Sequence, residues 1–401
     1  MKRFLLFAAV FLSVAVLVFG FIYIVNKDAF TTFIKNRKAM SEGSEWIEKT
    51  YSLQGLTEYI RANPGKVSLA SKVISHSDSA LYYGENIRRP MGSLGFYFII
   101  AGYVSAFENG NIDSQSHFEW ELTNRYILPD VDESIHYEAK SDAINKGWLS
   151  DGAISYNNAL YLLAEHNSPA LADYLWFHMG ADYWPSFIND LEMENTDYPL
   201  PLSGLYLAAA PNIRGIPFDE ILENWFELSK EDQNNLVISL SESFITDSSV
   251  RNEYLEKLNS TRLDITFMQE RDALEMFPKT TASDMVQMLE KLWYNRLISE
   301  PVSREIKSIL KWPMEKSEIR RNLSAYGAMY DNRMGLLNGI DFGTSVYTED
   351  TTVQAVFFDR IPISFWFHMS SNHMHQDFQQ RLIYDPALIE LVNNITPEQN
   401  E

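Results

Sequence analysis

One stretch constrains this chain more than any other: Arg89-Pro90-Met91-Gly92-Ser93-Leu94-Gly95-Phe96-Tyr97-Phe98-Ile99-Ile100-Ala101-Gly102-Tyr103. A turn made of Pro and Gly hands a serine to the first turn of a long apolar helix. A helix that is apolar on all sides has to lie inside a folded body rather than on its surface. Ser93 stands where a sharp junction, backbone N–H groups and the helix dipole all favour developing negative charge. On these residues alone a plain N-cap before a buried helix explains the serine equally well. Both readings stay open at this point.

The body around that helix is large. The chain has 401 residues, 46 % apolar and 13 % aromatic, enough for two or three domains or for one domain with insertions. A net charge of −21 leaves no basic footprint for phosphates, so no nucleic-acid partner is expected. There is no cysteine, which excludes disulfides, thiol catalysis and cysteine-ligated metals.

Met1-Lys2-Arg3 precedes an apolar run over residues 4–25 in which Ser13 and Tyr23 are the only polar side chains. As a helix this run would span roughly 33 Å, enough to cross a hydrocarbon core of about 30 Å. A cleaved signal peptide is the competing reading. The run is long for one and ends without a small-x-small site, so residues 1–25 are read as an uncleaved transmembrane anchor. Residues 26–44 follow as a polar juxtamembrane linker.

Residues 46–61 carry apolar positions at helical spacing, and Asn63-Pro64-Gly65 stops the pattern. Residues 67–74 and 80–83 are predicted strands of a hairpin, which leads into the Ser93 turn. From about 110 to 325 the pattern is mostly helical, with a loop-rich passage over 186–204 and an acidic, helix-biased block over 213–275. Strands return over 333–340, 344–347, 353–358 and 361–367, and residues 385–392 form a closing helix. Strands at both ends with helices between them imply an α+β fold, its antiparallel sheet assembled from both termini beside a helical subdomain.

Three spaced features resemble class A β-lactamases and penicillin-binding proteins, whose signatures run S-x-x-K, then S-D-N, then K-T-G. Met91-Gly92-Ser93 and its helix resemble the first, Ser155-Tyr156-Asn157 the second, and Arg333-Met334-Gly335 the third. The resemblance covers residues 45–395, with 213–275 as an insertion. It implies a β-lactamase/transpeptidase-like domain held outside a bacterial-type cytoplasmic membrane by the N-terminal helix. It also implies a cell-wall-related ligand or a protein partner.

By that resemblance Ser93 is the nucleophile, and the N–H groups of Ser93 and Leu336 form the oxyanion hole. Ser155 relays a proton, Asn157 binds a substrate amide, and Arg333 with Gly335 receives a substrate carboxylate. The lysine that should serve as base is Phe96, which has no lone pair and no proton to trade; losing such a base costs roughly 10²–10⁴-fold. Tyr156 replaces the central aspartate and Met334 the threonine hydroxyl. Glu192 and Glu194 fall where class A enzymes carry a deacylating glutamate, without the family's spacing, and Lys140 or Lys146 could stand in for the missing base.

Other clusters weigh less. His368, His373 and His375 with Asp377 look like a metal set if they lie on a strand, although no metal is expected. Ser308-Ile309-Leu310-Lys311 matches S-x-x-K by chance inside an amphipathic helix, and no Gly-rich phosphate loop implies a cofactor. Two functions follow: a catalytically degenerate binding protein of this fold, or a divergent serine hydrolase that forms an acyl-enzyme on Ser93.

Overall fold

The computed structural model describes residues 34–49, 53–74, 76, 79–129, 131, 133–261, 265–310, 328–334, 338–345 and 347–395. The apolar run over residues 4–25 lies outside them. Among the described residues no helix is long and apolar enough to cross a membrane.

The single N-terminal helix expected over 46–61 is two helices, α1 (Ser44–Lys49) and α2 (Leu53–Ala62). Trp46 meets Tyr59 edge to face at 5.1 Å, which folds the two together. A 3-10 turn at Pro64–Lys66 then feeds β1 (Val67–Val73), which pairs with β2 (Ala80–Tyr83) as the hairpin pattern predicts. Next comes β3 (Arg89–Pro90). The Arg89 side chain is buried, and donates to Ser68 Oγ at 3.0 Å, Asp359 Oδ2 at 2.7 Å and the Gly65 carbonyl at 2.8 Å. One arginine therefore fixes the entry to the serine turn against both ends of the fold.

After a 3-10 turn at Gly92–Leu94 comes α3 (Gly95–Glu108), buried from Gly95 through Ala106. Its apolar girdle leaves it no wet face, so other helices surround it. They follow in order: β4 (His117–Glu119), α4 (Glu133–Asn145), β5 (Ala153–Ser155), α5 (Tyr156–His166), α6 (Pro169–Met179) and α7 (Tyr183–Asp190). A loop over 191–201 leads to α8 (Leu202–Ala209) and the short α9 (Pro211–Arg214).

The acidic block is helical as expected: α10 (Phe218–Glu227), α11 (Lys230–Thr246), α12 (Ser248–Thr261) and α13 (Phe267–Ala273). It packs into the main core through Phe218, Ile221, Trp225 and Val237. Gly204 of α8 lies so close to α11 that a Cβ there would sit 2.1 Å from the Val237 carbonyl oxygen. Only a residue without a side chain permits that crossing.

Then β6 (Lys279–Thr280) pairs with β3, and α14 (Ala282–Trp293) and α15 (Glu300–Ile309) complete the helical side. The last strands are β7 (Ala328–Met334), β8 (Asn338–Ser345) and β9 (Thr351–Phe358). They form one antiparallel sheet with the first two, in the order β2-β1-β9-β8-β7. The sheet therefore joins both termini, as the pattern predicts. Residues 333–340 are not one strand, because β7 ends at Met334 and its partner begins at Asn338.

β9 is buried along its whole length because both faces are covered. Val353, Ala355 and Phe357 face α3 and its neighbours, while Val356 and Phe358 face a second core built from the terminal helices. Those helices are α2, α16 (Ile363–Ser371), α17 (Met374–Leu382) and α18 (Pro386–Asn393). Here the strand expected over 361–367 is overturned. Pro362 opens a helix instead, which places Phe365 and Met369 one turn apart against that core.

Candidate active site

The serine turn is shaped by Gly92, whose φ of 55° is a left-handed conformation that suits glycine. Met91 donates its N–H to the Pro278 carbonyl at 2.9 Å, so the turn is tied to the strand pair β3–β6. Ser93 is half-buried at the N-terminal end of α3, and β7 runs beside it. Arg333 and Met334 are the last two residues of β7. Gly335 and Leu336 lie outside the described residues.

Phe96, in the place of the base, is only 5 % exposed. It lines an apolar pocket with Met91, Gly95, Pro199, Leu200 and Phe277, about 290 Å³ counting the open mouth. Nothing in that lining carries a side-chain proton acceptor. The pocket's far wall is nailed in place by α6: Trp176 Nε1 donates to the Pro199 carbonyl at 2.7 Å, and Asp173 accepts the N–H groups of Leu202 and Ser203 at 2.7 and 2.8 Å. Burial pushes the Asp173 carboxyl up to about 6, against the pull of Ser203 and the Leu202 amide.

The same loop is pinned on its other side by Asp197. It meets Arg88 at 2.5 Å and Lys230 at 3.0 Å, and accepts the Lys279 N–H at 2.9 Å. Burial raises this carboxyl, but Lys230, the Lys279 amide and Arg88 outweigh it and hold it below the usual range. Asp284 receives Asn195 N and Thr196 Oγ1 at 3.0 and 2.8 Å. Asp197 and Asp284 thus fix this loop, Asp173 fixes the start of α8 that follows it, and none of the three lines the pocket.

The second motif is elsewhere. Ser155 is 3 % exposed and its Oγ accepts the Asn158 N–H at 3.2 Å, which makes it the N-cap of α5. Tyr156 and Asn157 donate their backbone N–H groups to Ser116 and Ser114, in the segment that follows the C-terminal end of α3. The Tyr156 ring stacks on Tyr103 at 5.7 Å, and its hydroxyl meets His178 Nε2 at 2.7 Å. Tyr103 lies ten residues beyond Ser93, so the rise of the helix alone separates them by about 15 Å. The expected assembly of Ser93 with Ser155 and Asn157 is therefore corrected: they sit toward opposite ends of α3. Equal local spacing cannot report which end of a helix a distant motif will pack against.

Neither candidate lysine replaces Phe96. Lys140 Nζ lies 2.6 Å from Glu121, and Lys146 Nζ lies 2.6 Å from both Asp142 and Glu165. Glu192 and Glu194 are exposed, and Glu192 pairs with Lys291 at 2.7 Å. The strand-borne His-x-His arrangement is also corrected: His368 is on α16, His373 caps α17 in a left-handed conformation, and His375 and Asp377 follow on that helix. Among the described residues, Asp142, Glu165 and His166 have ligand atoms close enough for a metal, but the Lys146 ammonium occupies that charge site. Ser308 is exposed on α15 and bonds the Tyr161 hydroxyl at 3.0 Å, and Lys311 lies outside the described residues.

Sequence reasoning missed the polar joint between α5 and α6. Ser168 is fully buried, accepts the Leu171 N–H at 3.3 Å and meets His136 Nδ1 at 3.0 Å. Its signal was present as Ser168-Pro169, an N-cap before an N1 proline. Nothing in the sequence marked His136 as its partner.

Comparison with known proteins bears on the fold. The model of the beta-lactamase enzyme family matches residues 230–369, from α11 through β7, β8 and β9 into α16. The match begins inside the block set apart as an insertion and does not include Ser93. Among solved structures, a beta-lactamase from Sphaerobacter thermophilus is 12 % identical with a TM-score of 0.48, over 81 % of this chain and 95 % of that one. TLA-1 extended-spectrum beta-lactamase is 13 % identical with a TM-score of 0.44, over 78 % and 99 %. PBP-A is 12 % identical with a TM-score of 0.45, over 82 % and 97 %. No curated protein matches.

The body itself is mostly helical α+β, with one five-stranded antiparallel sheet. Its similarity to the beta-lactamase enzyme family is carried by the matched residues 230–369, and its site chemistry has to be argued from its own side chains.

Proposed function

We propose that this chain is a membrane-anchored, extracytoplasmic protein of the β-lactamase-like fold that binds a cell-wall-related ligand without turning it over. The observation that carries this reading is Phe96. Where the superfamily places a base one helical turn from the serine, the chain places a ring that lines an apolar pocket. Phenylalanine cannot take a proton, and a serine hydroxyl keeps its own at neutral pH unless a base removes it. Lys140 and Lys146 are held by carboxylates, and Ser155 is spent on a helix cap. The run over residues 4–25 would hold the body at the outer face of the membrane, as the resemblance implies.

The test is equilibrium binding of a soluble muropeptide to the full-length protein, followed by mass spectrometry of the peptide. Binding with the peptide recovered intact, and equal within about twofold in Ser93→Ala, is the expected result. Cleavage that disappears in Ser93→Ala would overturn it in favour of a divergent serine hydrolase.

A further inference from the structure

The residues that follow the apolar run do not hang as a free tether. Asn36 and Ala39 are buried, 3 % and 2 % exposed, against the body. Asn36 Oδ1 accepts the Phe267 N–H at 2.6 Å, Arg271 meets Glu42 at 2.9 Å, and Ser364 Oγ donates to the Glu42 carbonyl. Gly43, at a φ of 82°, passes so close to α16 that a Cβ would fall 2.3 Å from Pro362 Cβ. Four contacts fasten this segment to α13 and α16.

Its outward side is unusual for this chain. Ile34 is 66 % exposed and Met40 39 %, and beside them Phe367 is 36 % exposed with its ring 5.7 Å from Phe267. Between the two aliphatic residues stand Lys35, Arg37 and Lys38, all exposed. Residues 34–41 hold three bases and no acid, in a chain whose net charge is −21. Glu270 of α13 is within electrostatic reach of this cluster: burial raises its carboxyl and Lys35 lowers it.

From this we infer that the face formed by residues 34–41 with Phe267 and Phe367 rests on the membrane surface, its apolar side chains at headgroup depth and its three bases on anionic lipid. The inference deepens the reading of residues 4–25 as an anchor. Eight residues separate Val25 from Ile34, and fully extended they reach at most about 29 Å. The face therefore stays within one short tether of the bilayer. Bases draw such a segment to anionic headgroups, and aromatic rings favour the interface. Because the segment is fastened to the body, its contact with lipid sets the orientation of the whole molecule.

The absence of cysteine makes the test clean. Full-length protein in nanodiscs would carry one nitroxide label at Ser41→Cys, Ser370→Cys or, away from the face, Ser239→Cys. Accessibility to a water-soluble relaxation agent is then read in phosphatidylcholine with and without phosphatidylglycerol. Labels at positions 41 and 370 should be shielded in the anionic discs while position 239 stays open. Each of Lys35, Arg37 and Lys38 changed to Gln should lower the ratio of docked to lifted protein about fivefold, the equivalent of about 1 kcal/mol. Equal exposure of positions 41 and 239 in anionic discs would overturn the docking. Alkaline carbonate extraction of the same protein from vesicles tests the anchor separately: release would sink the anchor and leave the docking result standing on its own.

Discussion

Acidification should expose two buried titrations of opposite sign, His136 beside the N-cap of α6 and Asp173 within that helix. His136 is fully buried, between Ser168 Oγ at 3.0 Å, Thr123 Oγ1 at 3.0 Å and Asn124 Oδ1 at 3.2 Å, with its ring stacked 4.9 Å from Trp120. Burial, helped by the charge of Lys140, brings its pKa from 6.5 down to about 4. Between those values the unfolded chain takes up a proton that the native protein refuses. Stability from this site is full above pH 6.5 and is lost as pH falls toward 4, by about 3 kcal/mol. Asp173 runs the other way. Its carboxyl is raised from 3.8 to about 6, so between those values the native protein holds a proton the unfolded chain has released. Stability then increases as pH falls from 6 toward 3.8, again by about 3 kcal/mol. The two nearly cancel in the intact protein.

Removing either one should uncover the other. Urea midpoints followed by tryptophan fluorescence at pH 6.5 and 4 would give the change in stability for the parent, Asp173→Asn and His136→Gln. Asp173→Asn should lose about 3 kcal/mol more than the parent on acidification, and His136→Gln about 3 kcal/mol less. Comparing each variant with the parent over one pH interval removes the carboxylates common to all three. If all three proteins show the same change between pH 6.5 and 4, neither group titrates as described and the reasoning fails.

Two further substitutions probe the frame around the pocket. Gly204→Ala drives a methyl group into the Val237 carbonyl and should cost about 3 kcal/mol, the upper end of overpacking, read as a lower urea midpoint. No loss would mean that α8 and α11 are not in backbone contact. Arg89→Met removes the donor that Asp359, Ser68 and the Gly65 carbonyl share, and should cost about 3–5 kcal/mol. Its thermal midpoint should recover partly when Asp359→Leu is added, because the stranded carboxylate goes with its partner.

The sheet was legible because its strands announce themselves locally. Residues 67–74 and 80–83 alternate between Gly- and Asn-bearing turns, and the apolar block of β9 fits a strand covered on both faces. Residues 361–367 misled for the opposite reason. Their alternation matches a strand, yet the sheet had already closed with β9, and a helix buries Phe365 and Met369 better against the terminal core. At the site, Ser93 and Phe96 fall where the sequence places them, because a turn followed by an apolar helix fixes both within a few residues. Ser155 does not join them, since its place depends on β4–β5 pairing and on Tyr156 finding Tyr103. The carboxylates that hold the 191–201 loop read as ordinary acidic residues in a list of letters. Only their burial and their backbone donors set them apart.

The central proposal is that Ser93 keeps a nucleophile's position without its reactivity. Intact-mass measurement of the full-length protein after incubation with a penicillin and with a fluorophosphonate, beside Ser93→Ala, tests it most directly. The expected result is an unmodified mass in both proteins with both probes. A Ser93-dependent adduct forming within minutes would contradict it, and would mean that a group other than Phe96 takes the serine's proton.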